Sequence, residues 1–417
     1  MLVHSYYEED PRVAREAEAI VAAGRDVDVF ALRRPGTAAS ERIAGVHVER
    51  IDIQRHQGAG VATYVREYLA FLFASGYRLI RAHRRRRYGL VQVHTLPDFL
   101  VFAALPLRLV GVPVLLDLHE AMPEFFRVRF PGAANPLALR LLRFQERLSI
   151  GAATAAITVN DALAARLVGL GAPATKIGVV TNSPALRRFD PTVHPVRSFA
   201  ADGVVRLVYA GALSPTYELD VVLRAVARLA ALRPDLPVEL ELYGRDFGEV
   251  PLADTAAALG VADRVRFHGR IPLDAVPAAL AAADIGLAPT RRNDFTDYSL
   301  STKVFEYGAM RKPVVASGLP LVRSTFPADT IATYSPGDAD ELAAAILRLV
   351  DDPTDRDARV ERTAALVSGL GWERESERYL ALVERLIGDA LSSDPASPRA
   401  ASEARATRSE PPNQEEL

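Results

Sequence analysis

Short apolar runs alternate along most of the chain with segments whose apolar positions recur at helical spacing. The first run, LVHS, is followed by Asp10 and Pro11, an N-cap and a first-turn proline that predict a helix over 11–23 ending at Gly24. DVDVFAL then alternates as a strand. The rhythm repeats through GLVQVHT, a helix from Pro97, VPVLLDLHE, a helix near 136–150, ATAAITVN, a helix from Asp161 and KIGVVTN. Strands alternating with helices predict an α/β fold whose parallel sheet is covered on both faces.

The stretch 182–203, rich in proline, loop formers and unlike charges, interrupts this rhythm and marks a domain boundary. Beyond it the alternation restarts: VVRLVYAGAL, a helix over 219–232, VELELYG, a helix near 252–259, RVRFHG, a helix over 273–282, ADIGLAP, a helix carrying Glu306, KPVVAS, TIATYS and helices from 338 onward. Two Rossmann-like, doubly wound domains follow, 1–190 and 191–370, facing a cleft. A helix over 371–391 comes next. The tail 392–417 is Pro, Ser, Ala and charge without apolar periodicity, and is predicted to be disordered.

Composition narrows the function. The 417 residues contain no cysteine, which removes disulfides, thiol catalysis and cysteine metal sites. A net charge of -2 with 24% charged residues does not suit a nucleic-acid binder. The start, MLVHSYYEEDPRV, has no secretion pattern, which predicts a cytoplasmic protein. Pro106, Arg108 and Pro113 interrupt the most apolar stretch before it reaches spanning length.

The segment 61–90 is aromatic and basic. Val61, Tyr64, Val65, Tyr68, Leu69, Leu72, Leu79 and Ile80 read as one helical face widened by Phe71 and Phe73, and six arginines cluster from Arg78 to Arg87. Such a helix suits the anionic inner face of the plasma membrane, or else a core helix with solvated arginines.

The chain has three lysines, Lys176, Lys303 and Lys312. Two of them flank Glu306 in DYSLSTKVFEYGAMRKPVVAS. Ser301 and Thr302 read as N-caps of a helix whose free N–H groups, with the loop holding Asp297, Tyr298 and Ser299, suit phosphate oxygens. Lys303 adds a formal charge there, and Glu306 lies three residues on, on nearly the same face. The alternative is an ordinary Lys–Glu surface pair. Separately, His4, His94 and His119 each end a predicted parallel strand and are expected to line the cleft rim. No zinc-ligand spacing accompanies them, and Asp26 and Asp28 share one side of a strand, so no metal is expected.

Taken together, DPRVAREAEAIVAAGRDVDVF, LLDLHEAMPEFF, VVTNS, VYAGALSP, ADIGLAPT and DYSLSTKVFEYGAMRKPVVAS resemble glycosyltransferase family 4. The resemblance runs over residues 1–385. It implies the GT-B fold and a retaining hexosyltransferase that uses a nucleotide sugar as co-substrate, without a metal or other cofactor, and passes the sugar to a polysaccharide or lipid-linked acceptor. A sugar-nucleotide epimerase and a non-catalytic scaffold subunit share the fold.

By this resemblance the C-terminal domain takes the donor and the N-terminal domain the acceptor. Glu306 corresponds to the second glutamate of the family's E-x7-E motif and holds ribose hydroxyls, while Tyr298 stands where the first glutamate is usual, with Asp297 beside it. Ala212 and Tyr217, in the loop opened by Gly211, stand where the family carries an arginine and a lysine on the diphosphate. Lys303 and Arg270 are the remaining cations for that role. His119 is implied at the donor sugar or reacting centre. Glu120 and Glu124 either bind acceptor or are simply solvated.

Overall fold

The computed structural model describes residues 1–56, 60–246, 248 and 250–393. The chain divides into two units, Met1–Thr181 with the segment from Ser376 onward, and Asn182–Glu375. The break falls at 181/182, ahead of the expected 190/191.

In the first unit, residues 1–5 form the middle of the sheet. Leu2 bridges in parallel to Phe30 of β1 (Asp28–Leu32) and to Val93 of β4 (Val91–His94). Outward from β1 lie β3 (Val46–Ile51) and then β2 (Ser40–Ile43); outward from β4 lie β5 (Val114–Leu118), β6 (Ala155–Thr158) and β7 (Ile177–Val179). The strands β1, β4 and β5 are buried along their whole length, as parallel strands covered on both faces must be. Asp10 caps the helix Pro11–Ala22 by accepting from the Val13 N–H, and Gly24 follows with φ +83.

Three features depart from the sequence reading. The β2–β3 hairpin turns through Ala44 and Gly45, both at positive φ, the backbone that a two-residue hairpin loop requires. A short helix, Met122–Arg129, follows β5. The helix Val61–Arg86 buries only a narrow strip, with Phe71, Gly76 and Leu79 inside and Val65, Leu69 and Phe73 outside, so the wide apolar face read from the sequence is split between core and surface.

The second unit is a six-stranded parallel sheet in the order β10 (Val265–Gly269), β9 (Val238–Tyr243), β8 (Val205–Ala210), β11 (Ile285–Ala288), β12 (Val314–Ser317), β13 (Ala332–Tyr334). The chain builds outward from β8 in one direction, then returns to the other side of β8 and builds outward again. Between β8 and β11 the order reverses, and a crevice opens at the carboxyl ends of those two strands.

The last helix, Trp372–Ser393, begins in the second unit and from Ser376 belongs to the first. There the fully buried Tyr379 hydroxyl donates to Gln92, and Glu384 pairs with Arg25. Of the expected tail, residues 392 and 393 are helical; 394–417 lie outside the described residues. No described helix is long and apolar enough to cross a membrane.

Candidate functional site

In the second unit the crevice between β8 and β11 is built by two loops and one helix. The loop after β8 is clipped to the loop after β11 by the antiparallel bridge Tyr217–Thr290 and by the Arg291 N–H, which donates to Thr216 at 2.9 Å. Gly211 opens the first loop, and a Cβ there would stand 2.5 Å from Lys303 Cε. A Cβ on Gly244, after β9, would stand 1.7 Å from the Gly211 carbonyl oxygen. Both positions therefore need glycine for close approach.

The helix Thr302–Ala309 is pinned over this crevice by Tyr307. Its ring packs where Gly286 leaves room, and its hydroxyl donates to the Leu287 carbonyl at 3.1 Å while accepting from the Ala210 N–H. That places the two preceding turn positions, Lys303 and Glu306, at the switch point. Lys303 is buried, with Nζ 4.1 Å from the Tyr217 ring centroid and 5.1 Å from that of Tyr209. Both distances suit cation–π attraction. The Tyr209 hydroxyl donates to Ala212 at 2.7 Å and so fixes the loop beneath the lysine. Burial raises the Glu306 carboxyl above the ordinary range, against the downward pull of Lys303, a Thr302 hydrogen bond and Arg188.

The other expected donor residues are less concentrated. Ser301 occupies the N-cap position, but its side chain makes no capping bond, and Thr302 serves Glu306 instead of the helix end. Asp297 pairs with Arg292 at 3.2 Å, Tyr298 is half-buried in the 296–298 turn, and the Ser299 hydroxyl donates to Phe295 at 3.4 Å. Arg270 is exposed beyond β10, the edge strand, with β9 between it and β8. A cavity of about 520 Å³ lined by Arg197, Asp284 and Lys312 lies at the opposite, amino-terminal ends of the strands. Its lysine is committed to the Ala281 and Ala283 carbonyls.

The first unit carries a second polar cluster at the ends of β4 and β5. Asp117 is fully buried and accepts two 2.8 Å bonds from the Arg12 guanidinium and one of 3.0 Å from His94 Nδ1. His119 Nδ1 lies 3.6 Å away, and the side chain is 18% exposed. Burial opposes ionisation of Asp117, but Arg12, His119 and His94 together hold it well below the usual carboxylate range. Burial likewise opposes charge on His119, yet Asp117 and Glu120 raise it above the ordinary histidine value. Glu120 is itself raised by burial, against the pull of His119.

His94, Asp117 and His119 offer ligand atoms within 4.8 Å of one another, a spacing that a metal ion could bridge. Both Asp117 oxygens are already held by Arg12, and a guanidinium forked on a carboxylate is the arrangement of an ion pair, not of a metal ligand.

Two further residues expected on the acceptor side have neighbours of their own. His4 does not join this cluster: its ring lies edge-on to Tyr68 and Phe71, and burial, with Arg55, pushes it down to about 3. Glu124 is half-buried, and Arg166 grips it and Glu146 together. Asp28 accepts from His47, Tyr88 and Arg86, which makes it a structural carboxylate. Sequence reasoning missed Arg12, Asp117, Tyr209, Gly244 and Arg188; Arg12 and Glu16, one helical turn apart and both buried, were the available signal.

Residues 204–352 match the family described as glycosyl transferases group 1, and residues 10–183 the glycosyl transferase 4-like domain. A curated relative, the D-inositol 3-phosphate glycosyltransferase of Thermomonospora curvata, is 27% identical over 387 residues covering 87% of each chain. Among solved structures, sucrose-phosphate synthase of Thermosynechococcus elongatus superposes with a TM-score of 0.72 at 20% identity, covering 90% of this chain and 93% of that one. Anabaena Alr3699/HepE in complex with UDP-glucose gives 0.65 at 17% identity, covering 92% and 98%. The two-sheet architecture is the GT-B fold, and with both domain families matched in order the chain belongs to the group 1, family 4-like glycosyltransferases.

Proposed function

We propose that the protein transfers a hexosyl group from a nucleotide sugar to a hydroxyl acceptor with retention at the anomeric carbon. The observation that carries this is the placement of Lys303 and Glu306 together at the β8/β11 switch point, on a helix pinned by Tyr307. In this reading the Glu306 carboxylate accepts from the ribose hydroxyls, and Lys303, with the helix-end amides, balances charge developing on the leaving diphosphate. Lys303 stands over Tyr217, the residue found where a family lysine is usual, so one cation is supplied from the helix instead of the loop. The complex of the Anabaena neighbour with UDP-glucose supports a uridine diphosphate donor as the first to try.

His119, held by Asp117, acts at the reacting sugar, and Asp117 and Arg12 position it. Transfer passes through an oxocarbenium-like sugar as the diphosphate departs. No carboxylate nucleophile is assigned, and no metal takes part. A polysaccharide or lipid-linked hydroxyl is the proposed acceptor. The second reading is a small polyol phosphate, which the name of the Thermomonospora relative favours. Incubation with UDP-, GDP- and ADP-sugars, with release of nucleotide measured against each acceptor class, tests both readings. Release that requires acceptor supports transfer; release in its absence, or none with any donor, counts against it.

A further inference from the structure

The chain passes from β3 to β4 and then stepwise to β5, β6 and β7, every strand parallel to its neighbour. Right-handed crossovers place all of these connections on one face of the first unit's sheet. The helices Val61–Arg86 and Pro136–Ala152 thus lie on that face, and the turn 98–104 packs against both. Their inner sides are ordinary core, with Phe71 and Leu79 on one and Leu139 and Ile150 on the other.

Their outer sides are apolar as well. On the first helix Val65, Leu69, Phe73 and Tyr77 recur every fourth residue, with Phe73 70% and Tyr77 67% exposed. On the second, Leu137, Leu141, Phe144 and Leu148 fall within about 60° of arc, and Leu137 and Phe144 are 65% and 59% exposed. The short helix Leu105–Leu109, which packs on the same 98–104 turn, ends in the exposed Leu109 and Val110. Scattered exposed leucines need no explanation, but two aligned stripes on one face do.

Charge identifies what covers them. The two helices carry nine arginines and two acids, Glu67 and Glu146. Both acids are buried and paired, with His56 and Arg166. Arg78 and Arg86 turn aside to Glu49 and Asp28, which leaves Arg81, Arg84, Arg140 and Arg147 exposed beside the stripes with no exposed acid on either helix. In a chain of net charge -2 this is a local concentration. A second copy docking through the same face would set arginine against arginine.

We propose that this face seats the protein on an anionic lipid bilayer. Phe73, Tyr77, Leu141 and Phe144 enter the headgroup boundary and the flanking arginines meet lipid phosphates. The inference goes beyond the donor site and stands whichever hydroxyl accepts the sugar.

The full chain is tested by cosedimentation with phosphatidylcholine vesicles, pure or containing phosphatidylglycerol. Binding is expected only to the anionic vesicles and falls as salt rises. Arg140→Ser and Arg147→Ser should each weaken it about fivefold, and Phe73→Ser combined with Phe144→Ser about tenfold. The circular dichroism and any nucleotide-induced thermal shift should stay as in the parent, because these side chains lie outside core and donor site. Absence of binding to anionic vesicles, or binding untouched by both sets of substitutions, overturns the proposal. So does a dimer in sedimentation velocity that the paired Phe73 and Phe144 substitutions disperse, which would assign the face to a second copy. Nucleotide plays no part in the assay, so its failure leaves the donor reading standing.

Discussion

Lys303 lies over two tyrosine rings and against the glycine that opens the β8 loop, which fixes the position of its ammonium group. Lys303→Met keeps the stem and removes the charge. It should weaken nucleotide-diphosphate binding by about 1.5–3 kcal/mol, the range for a charge-assisted contact, while uridine alone is little affected. Calorimetric titration with both ligands checks this, and equal losses for the two would contradict it. Arg12→Leu should be costlier to the fold, about 3–5 kcal/mol in urea denaturation, because it strands the buried Asp117.

The His119 prediction depends on sign. Its folded value is raised above that of a free histidine, about 6.5, so protonation beside Asp117 stabilises the fold below that pH. That contribution is lost as pH rises through the raised value, while Asp117, depressed well below its usual range, stays ionised throughout. Stability of the parent should therefore fall more, as pH rises above about 6.5, than that of His119→Gln. Parallel denaturation curves for the two would contradict the pairing. Residue by residue, the sequence made the strand-end histidines visible because strand position is a local property. It did not show Arg12, whose role depends on reaching a carboxylate 105 residues away. For the same reason it did not show the aromatic neighbours of His4, which come from a distant helix.

Among elements, the tightest contact in the donor region is backbone on backbone. Gly244→Ala would drive a Cβ into the Gly211 carbonyl, which cannot move without disturbing β8, and should cost about 2 kcal/mol or more. Gly211→Ala presses on the end of Lys303 and on the Tyr209 hydroxyl at 3.0 Å rather than on backbone, so it should lower nucleotide affinity with a smaller loss of stability. Thermal denaturation and titration of both variants separate the cases; the reverse ranking would refute this account of the loop. Elements with strong periodicity, such as the helix Leu219–Leu232 and its flanking strands, were legible in sequence. The Ala44–Gly45 hairpin was not, because a non-glycine residue at positive φ leaves no turn signature. The stripe on Pro136–Ala152 also went unread, since exposed and buried leucines look alike until the sheet shows which side is inside.

At the scale of the molecule, the alternation of strand and helix was enough to give two parallel-sheet units, because it follows from what buried parallel strands and crossover helices require. The composition break located the boundary only to within its own length, and the return of the last helix to the first unit depends on Tyr379 meeting Gln92, which no local pattern encodes. If Arg12 rather than a metal holds Asp117, millimolar EDTA should leave sugar transfer unchanged. Loss of activity restored by a divalent cation would contradict that assignment.

The central claim is that Glu306 and Lys303 form a nucleotide-sugar site at the β8/β11 crevice. The direct measurement is the thermal shift of the full chain against UDP-, GDP- and ADP-sugars, compared with Glu306→Gln. At a hundredfold excess over Kd, binding adds about 2.7 kcal/mol, which for a unit of this size is a rise of roughly 5–10 °C. The account predicts such a rise with one nucleotide class and its near disappearance in Glu306→Gln. No shift with any nucleotide sugar, or an undiminished shift in Glu306→Gln, would contradict it.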